Sequence, residues 1–205
     1  MIGNKYKDII NNRLAENLAL RNIKTNWKQV KQVDNITMYT TVYHNYEIKL
    51  TKFEGNAPIN FEKASKYFFE DLDAQKNNRD MCDQLIKLET IDQDTIVTFF
   101  KTKGKLVVSS RQAVCIQHRR RLSNDEILIT KDQIDDHQNA PKSDAVKVDA
   151  KFGVVFLKKI NENTTHIELY NLLDPKGSIP VSFINSMQEK QFESLTKDLQ
   201  YIQKM

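Results

Sequence analysis

The chain has 205 residues, a formal net charge of +4, 40% apolar residues and 28% charged residues, which is the composition of one large soluble globular domain rather than a disordered chain. No stretch approaches the ~18 apolar residues of a transmembrane helix, and the first residues have no signal-peptide pattern. Nothing forces the two cysteines, Cys82 and Cys115, to pair, so a reducing, cytoplasmic setting is expected.

The first predicted element is a helix over residues 4–22, where apolar residues recur at helical spacing between polar ones. This apolar stripe favours docking on a sheet, because Asp8 and Glu16 dilute the positive charge that a free membrane-surface helix would carry. We therefore expect residues 1–24 to form a helix packed on a domain that spans 25–205.

The next segments alternate between strand and helix patterns. Residues 27–54 show period-two alternation between turn dipeptides, which predicts three antiparallel strands. Pro58 suits the first turn of a helix, and apolar spacing predicts a helix over 61–72 and a second, short one over about 76–86. Strand-like segments then follow one another through 87–173 without an intervening helix, so the sheet should be antiparallel.

The predicted strands of this second half cover residues 95–102, 106–122, 126–130, 145–159 and 164–173. After Pro180 the period becomes helical again up to residue 204, which predicts a long amphipathic lid helix. The fold class is therefore α+β, with a curved antiparallel sheet of about nine strands closed by a C-terminal helix. One such helix does not easily fill the concave side of a sheet, so a ligand cavity is expected.

Five motifs occur in a fixed order within residues 20–204. They are Trp27 with Asp34-Asn35-Ile36-Thr37-Met38-Tyr39, then Arg79-Asp80-Met81-Cys82-Asp83, Val107-Val108-Ser109-Ser110-Arg111-Gln112-Ala113-Val114, Pro141, and Asp174-Pro175-Lys176-Gly177-Ser178-Ile179-Pro180. In this order the chain resembles the START (StAR-related lipid transfer) family, with its tryptophan and D-G-V-x-V-Y strand, R-x-x-W-D, V-S-x-R-D-F-V, proline and D-P-x-G-x-I-P. The resemblance implies a helix-grip START fold that holds one hydrophobic ligand between the sheet and the last helix.

The chain departs from the family pattern at three positions. Cys82 replaces the motif tryptophan, and Gln112 replaces the aspartate that follows the motif arginine, here Arg111. In several lipid-binding relatives a carboxylate pairs with that arginine, and the corresponding position falls near Phe100. Because a buried unpaired guanidinium is costly, the resemblance implies a compensating acid, an ordered water, a shift to the surface or an anionic ligand group.

Arg111 is therefore the principal candidate site residue, either as a polar anchor for a ligand or as a strand arginine bonded to protein groups. Period-two counting places Ser109, Ala113 and Cys115 on its face of the sheet. The residues of the lid helix fit both a cavity lining and an ordinary core. The full set of candidate ligand-binding residues is Ile96, Thr98, Phe100, Ser109, Arg111, Ala113, Phe156, Phe183, Ile184 and Met187.

Catalytic and nucleic-acid functions are not expected. The four histidines are scattered away from metal-ligand spacing, and there is no Gly-rich phosphate loop, G-x-S-x-G or C-x-x-C motif. We therefore expect no enzyme, no cofactor and no metal. No platform of basic and aromatic residues predicts nucleic-acid binding. The basic run 118–121 fits a solvated strand end better than a phosphate or anionic-lipid surface.

The expected function is lipid binding or lipid transfer, with a sterol, a phospholipid or a related lipid as the partner and a transient membrane surface as a second one. The alternative is a structural or interaction protein that keeps the fold, has a filled pocket and binds another protein.

Overall fold

The protein is described by a computed structural model that covers residues 2–24, 26–104 and 108–205, and excludes the side chains of residues 2–4, 183, 185, 186 and 189. The helices are α1 (Ile2–Ala19), α2 (Phe61–Phe69), α3 (Leu72–Asn78) and α4 (Val181–Lys204), with a 3-10 turn at Leu20–Asn22. The strands are β1 (Lys28–Val33), β2 (Ile36–Thr41), β3 (Leu50–Ala57), β4 (Cys82–Asp92), β5 (Thr95–Thr102), β6 (Arg111–Ser123), β7 (Glu126–Ile134), β8 (Val146–Lys147), β9 (Asp149–Asn161) and β10 (Thr164–Asp174).

These strands form one curved sheet in the order β1-β2-β3-β10-β9-β7-β6-β5-β4, in which all neighbours are antiparallel. The two-residue β8 joins β6 in parallel, off this path. Most consecutive strands are neighbours because short turns connect them, but β3, which α2 and α3 separate from β4, pairs with β10 instead. The predicted α+β class and the curved antiparallel sheet with a C-terminal helix are confirmed.

Helices cover both faces of the sheet. The face covered by α2, α3 and α4, here called the inner face, carries the largest core cluster, which includes Ile129, Leu157, Phe192 and Leu195. The opposite, outer face is covered by α1. In the described part of the chain, no helix is long and apolar enough to span a membrane.

Helix α1 docks on the outer face of β5 and β6, as the sequence predicted. Tyr6 and Ile10 form a core cluster with Val97, Phe99 and Ile116 of these strands. The apolar stripe of α1 is therefore buried against protein, which explains its helical spacing.

Helix α2 begins where the sequence indicated. The Asn60 side chain accepts hydrogen bonds from the backbone N–H groups of Glu62 and Lys63, at 3.0 and 3.1 Å. Such an N-cap satisfies donors that the first helical turn leaves without partners. Phe61, Ala64 and Phe68 then point to the inner core at helical spacing.

The predicted helix over 76–86 is wrong beyond residue 78. Helix α3 covers Leu72–Asn78, and β4 already begins at Cys82. Pairing with β5 along almost its whole length makes Cys82–Asp92 a strand. β4 carries many polar residues, so the segment has little strand character of its own, and the hairpin with β5 determines its structure.

Two other predicted strands have different ends. β6 begins at Arg111, and the start of the predicted strand 106–122 partly lies outside the described residues. β7 extends beyond the predicted residue 130 to Ile134, because its end pairs with the start of β6, where Val114 faces Ile134. This extension places Lys131 inside the sheet.

Candidate ligand-binding site

The central strands β5 and β6 place several predicted residues together on the inner face. Phe100 pairs with Ala113, and Thr98 pairs with Cys115. Paired residues of antiparallel strands point to the same side of the sheet. Ile96 belongs to the inner core, and Phe100 packs against that core. The structure thus brings Ile96, Thr98, Phe100 and Ala113 to one surface beneath the helices.

Two ionisable side chains, Cys115 of β6 and Lys131 of β7, border this surface. Burial raises the pKa of Cys115 to about 12 and lowers the pKa of Lys131 to about 8. Both residues keep some accessible surface.

The C-terminal half of α4 is fixed over the inner face by a buried carboxylate. Asp198, only 2% exposed, accepts a hydrogen bond from the Tyr67 hydroxyl of α2 and one of 3.2 Å from Nη2 of Arg79. Asn78 also donates to the Tyr67 oxygen, at 3.1 Å. Burial, reinforced by the Asp198 charge, raises the pKa of Tyr67, which stays protonated as the donor. Charge-assisted bonds of this kind are stronger than neutral ones.

The N-terminal half of α4 is held by neutral hydrogen bonds. Gln188 Nε2 donates to the Lys49 carbonyl at 2.7 Å, and Asn171 Nδ2 donates to Gln191 Oε1 at 2.9 Å. Each such bond contributes about 1 kcal/mol. The described polar contacts of this half are therefore neutral, whereas those of Asp198 are charge-assisted.

Arg111 lies at the other end of the inner face and is 7% exposed. Its Nε donates to the Pro175 carbonyl and its Nη2 to the Lys176 carbonyl, both at 3.0 Å. Its Nη1 donates to the carbonyl and the hydroxyl of Ser109, at 2.5 and 2.9 Å. Every guanidinium nitrogen thus has a protein acceptor, and three of the four acceptors are main-chain carbonyls. These bonds tie the start of β6 to the turn that precedes α4.

Gly177 allows the Arg111 side chain to approach this turn. Its φ of +78° lies in the left-handed region, and a Cβ atom there would be 3.2 Å from Nη2 of Arg111. Glycine tolerates this backbone conformation and leaves the space free. The Asp174–Pro180 motif therefore has a structural basis as an arginine-bound turn.

The START domain family model matches residues 12–200 of the chain. The chain belongs to the START domain family. No curated protein matches its sequence. The described geometry explains the motifs that carry this resemblance, since Arg111 of the V-S-x-R segment binds the D-P-x-G-x-I-P turn.

Solved structures share this START fold at low identity. Human StAR-related lipid transfer protein 5 has a TM-score of 0.78 and 14% identity, with 99% of this chain and 95% of that chain covered. Human STARD10 has a TM-score of 0.78 and 12% identity, with 90% and 77% covered. A STAR-related lipid transfer protein from Xanthomonas axonopodis has a TM-score of 0.75 and 16% identity, with 87% and 99% covered.

Phe156, a predicted cavity residue, lies on the outer face of this START domain. It is fully buried in a cluster with Leu20, Leu128 and Tyr170, and the Arg21 guanidinium lies 3.9 Å above its ring. Its neighbours on β9, at positions 155 and 157, belong to the inner core instead. Since alternate residues of a strand face opposite sides, Phe156 points away from α4. The structure thus corrects its predicted place in the cavity.

The predicted residues of the lid helix differ in their positions. Ile184 packs against the same cluster as Phe156 and not against the inner core, and Met187 is half-buried. The side chain of Phe183 lies outside the described residues. Ligand contacts by this helix stay a prediction, as they do for Arg111 and Ser109.

Sequence analysis missed two polar residues of the interior, Lys131 and Asp198. Lys131 follows the apolar positions 127 and 129 at period two on β7, so its position was already an inward one. Asp198 lies three residues after Leu195 and four before Ile202, on the buried stripe of α4. For both Lys131 and Asp198, the sequence signal was therefore a charged residue on an otherwise apolar face.

Metal binding has no support in this site. Among the described residues, no group of three or more His, Cys, Asp or Glu side chains could hold a metal ion.

Proposed function

We propose that this START domain binds one lipid-like molecule between the inner face of its sheet and α4. The observation that carries the proposal is the accessible surface that Cys115 and Lys131 keep on the inner face, which indicates an internal space between the sheet and α4. The family and the names of the lipid transfer proteins that share the fold agree with it. Two free thiols fit a cytoplasmic setting.

The walls of the proposed site are mainly apolar. Ile96, Thr98, Phe100 and Ala113 line the sheet side, and α4 contributes Met187 on the other. Burial of apolar ligand surface here would supply roughly 25 cal/mol per Å². Arg111 borders the end of the site near the turn, where its donors already serve protein acceptors.

Ligand entry is proposed to open the N-terminal half of α4. Among the described contacts, neutral hydrogen bonds of Gln188 and Gln191 and the packing of Ile184 hold that half, whereas an ion pair with Arg79 anchors the other half through Asp198. Segments with weaker local anchoring open at lower free energy. The end that follows Pro180 therefore opens while the Asp198 end stays docked, and this motion gates uptake and release.

Binding rather than catalysis is proposed for the interior groups. The Cys115 thiol is a poor nucleophile, because burial raises its pKa to about 12 and keeps it protonated. A structural role with a filled pocket is the alternative, and the complete hydrogen bonding of Arg111 favours it, since that arginine needs no ligand.

Native mass spectrometry of the purified protein tests the proposal. The protein is first stripped of lipid and then incubated with vesicles that contain a sterol, a phosphatidylcholine, a ceramide and a fatty acid. We expect one retained lipid per chain, and we expect Ala113→Phe to reduce its occupancy by partial filling of the space. Lys158→Phe, at an exposed position of β9, is the matched control. Absence of any retained lipid in the wild-type protein would refute lipid binding.

A further inference from the structure

Lys131 is a charged residue that the fold places inside the protein. It pairs with Gln117 across β6 and β7, and the Gln117 side chain donates to the carbonyls of Phe68 and Phe69 at the end of α2. Both residues of the pair therefore face the helices. Gly153 of β9 lies beside Lys131, since a Cβ atom there would be 3.3 Å from Lys131 Cβ. The two positions therefore share the inner face.

The ammonium group has few partners there. Its Nζ donates to Gln75 Oε1 of α3 at 3.3 Å. Among the side chains that the structure describes, no carboxylate lies within 4.0 Å of it, and no second acceptor is hydrogen-bonded to it. An ammonium group has three donors. Two of them are therefore free to meet a bound group.

The surrounding charges do not neutralise Lys131. Arg79 after α3 repels it, and Asp198 of α4 is the nearest acid, but that carboxylate already accepts from Arg79 and Tyr67. The other titratable groups that face it are the thiols of Cys115 on β6 and of Cys82 on β4. Desolvation and the Arg79 charge therefore lower the pKa of Lys131 to about 8, which leaves it mostly charged at neutral pH.

Arg111 shows the contrast with a cation that is used for structure. Four acceptors of the protein surround its guanidinium, so its burial is compensated. Lys131 has one neutral acceptor in the described structure, and the burial of a poorly compensated charge is costly. A methionine of similar length would avoid that cost, so packing alone gives no reason for a lysine at this position.

We propose that Lys131 binds the acidic head group, a carboxylate or a phosphate, of the lipid held in the internal space. This inference rests on the proposed lipid-binding function and specifies its ligand class. The compact ammonium group suits a single anionic head, which would occupy its two free donors. The head group then lies deep, near α3 and the docked half of α4, and the tail runs along Cys115 and Ala113 toward the half that opens.

A panel of ligands that differ only in the head group tests this inference. Palmitic acid, hexadecanol, palmitoyl lysophosphatidic acid and monopalmitoylglycerol are each equilibrated with the wild-type protein at pH 7, and their affinities are measured by competition in native mass spectrometry. We expect the acids to bind at least about tenfold more tightly than the neutral compounds. The two acids distinguish a carboxylate from a phosphate ligand.

Lys131→Met should remove this preference while the neutral compounds still bind, and Lys158→Met should retain it. The wild-type protein supplies a second measurement that needs no variant. Palmitic acid stays ionised above pH 7, so its affinity should fall by up to about tenfold per pH unit above pH 8 as the free protein loses the Lys131 proton.

Three results would each overturn the inference. The first is equal binding of palmitic acid and hexadecanol, the second is a preference for the acids that survives in Lys131→Met, and the third is an affinity for palmitic acid that does not change up to pH 10. Neutral lipids would still bind in these cases, which leaves the proposed function intact. Failure to bind any compound would instead refute the proposed function itself.

Discussion

The free energy of unfolding should report the uncompensated charge of Lys131 directly. In the folded protein its pKa is lowered from 10.5 to about 8, chiefly by desolvation and also by the Arg79 charge. The unfolded chain therefore binds the proton more tightly than the folded one. If the whole pKa difference between the unfolded and folded protein applies, the charged Lys131 destabilises the folded protein by about 3 kcal/mol below pH 8. Because Lys131 keeps some accessible surface, we expect Lys131→Met to gain about 1–3 kcal/mol at pH 7 in the ligand-free protein.

The sign of the pH dependence follows from proton binding. Below pH 8 both states of the wild-type protein are protonated at Lys131, and the destabilisation is constant. Between about pH 8 and 10.5 the folded state releases the proton while the unfolded state still binds it, so wild-type stability rises relative to Lys131→Met. Above pH 10.5 only the packing difference between the two side chains remains.

Urea unfolding at pH 7 and at pH 10, followed by the fluorescence of Trp27 and by circular dichroism, measures this difference. Other groups that titrate in this range cancel in the comparison of the variant with the wild-type protein. Lys158→Met controls for the loss of one lysine at an exposed strand position. A Lys131→Met protein that is less stable than wild type at pH 7, or a difference that does not shrink at pH 10, would refute this account.

Three further substitutions test the contacts that shape the site. Asp198→Ala should lower the free energy of unfolding by about 3–5 kcal/mol, because it leaves Arg79 without its buried partner; a loss below about 1 kcal/mol in urea unfolding would contradict this. Gly55→Ala should prevent stable folding, since its Cβ would lie 1.8 Å from the Asn35 carbonyl oxygen. A cooperative thermal transition near that of the wild-type protein would contradict this prediction. Arg111→Lys should cost about 2 kcal/mol, because an ammonium cannot span the acceptors of a planar guanidinium, and unchanged thermal stability would contradict that role.

Local sequence patterns predicted the elements whose structure depends on local features. The predicted strand 95–102 agrees with β5, and the helix predicted after Pro180 agrees with α4, because periodicity and flanking turns define both. The motif order identified the family, which a match over residues 12–200 confirms. The segment Cys82–Asp92 was misjudged because its own polar sequence has little strand character, and its strand structure depends on the hairpin that it forms with β5.

The face assignment of β9 shows a second limit of sequence patterns. Phe152, Val154 and Phe156 are buried on the outer face, while Val155 and Leu157 are buried on the inner one. A strand with apolar residues on both faces has no polar–apolar alternation that identifies its inward side. Only the packing of the 3-10 turn and the strands around Phe156 determines which face it occupies.

The two interior cations show why sequence analysis selected Arg111 and missed Lys131. Arg111 was identified through its motif. Its partner could not be assigned, because the carboxylate that pairs with this arginine in several relatives is absent from the sequence. The partners are mainly carbonyls, which every residue carries and which no sequence pattern can assign to a particular side chain. Lys131 was missed because the predicted strand ended at residue 130, where polar residues begin. When the strand is continued to Ile134, its alternation places Lys131 on the buried face. A charged residue on that face departs from the usual pattern, in which polar residues face outward. Lys131 has one described acceptor for three donors, whereas Arg111 has four for five, so Lys131 is the less compensated of the two cations.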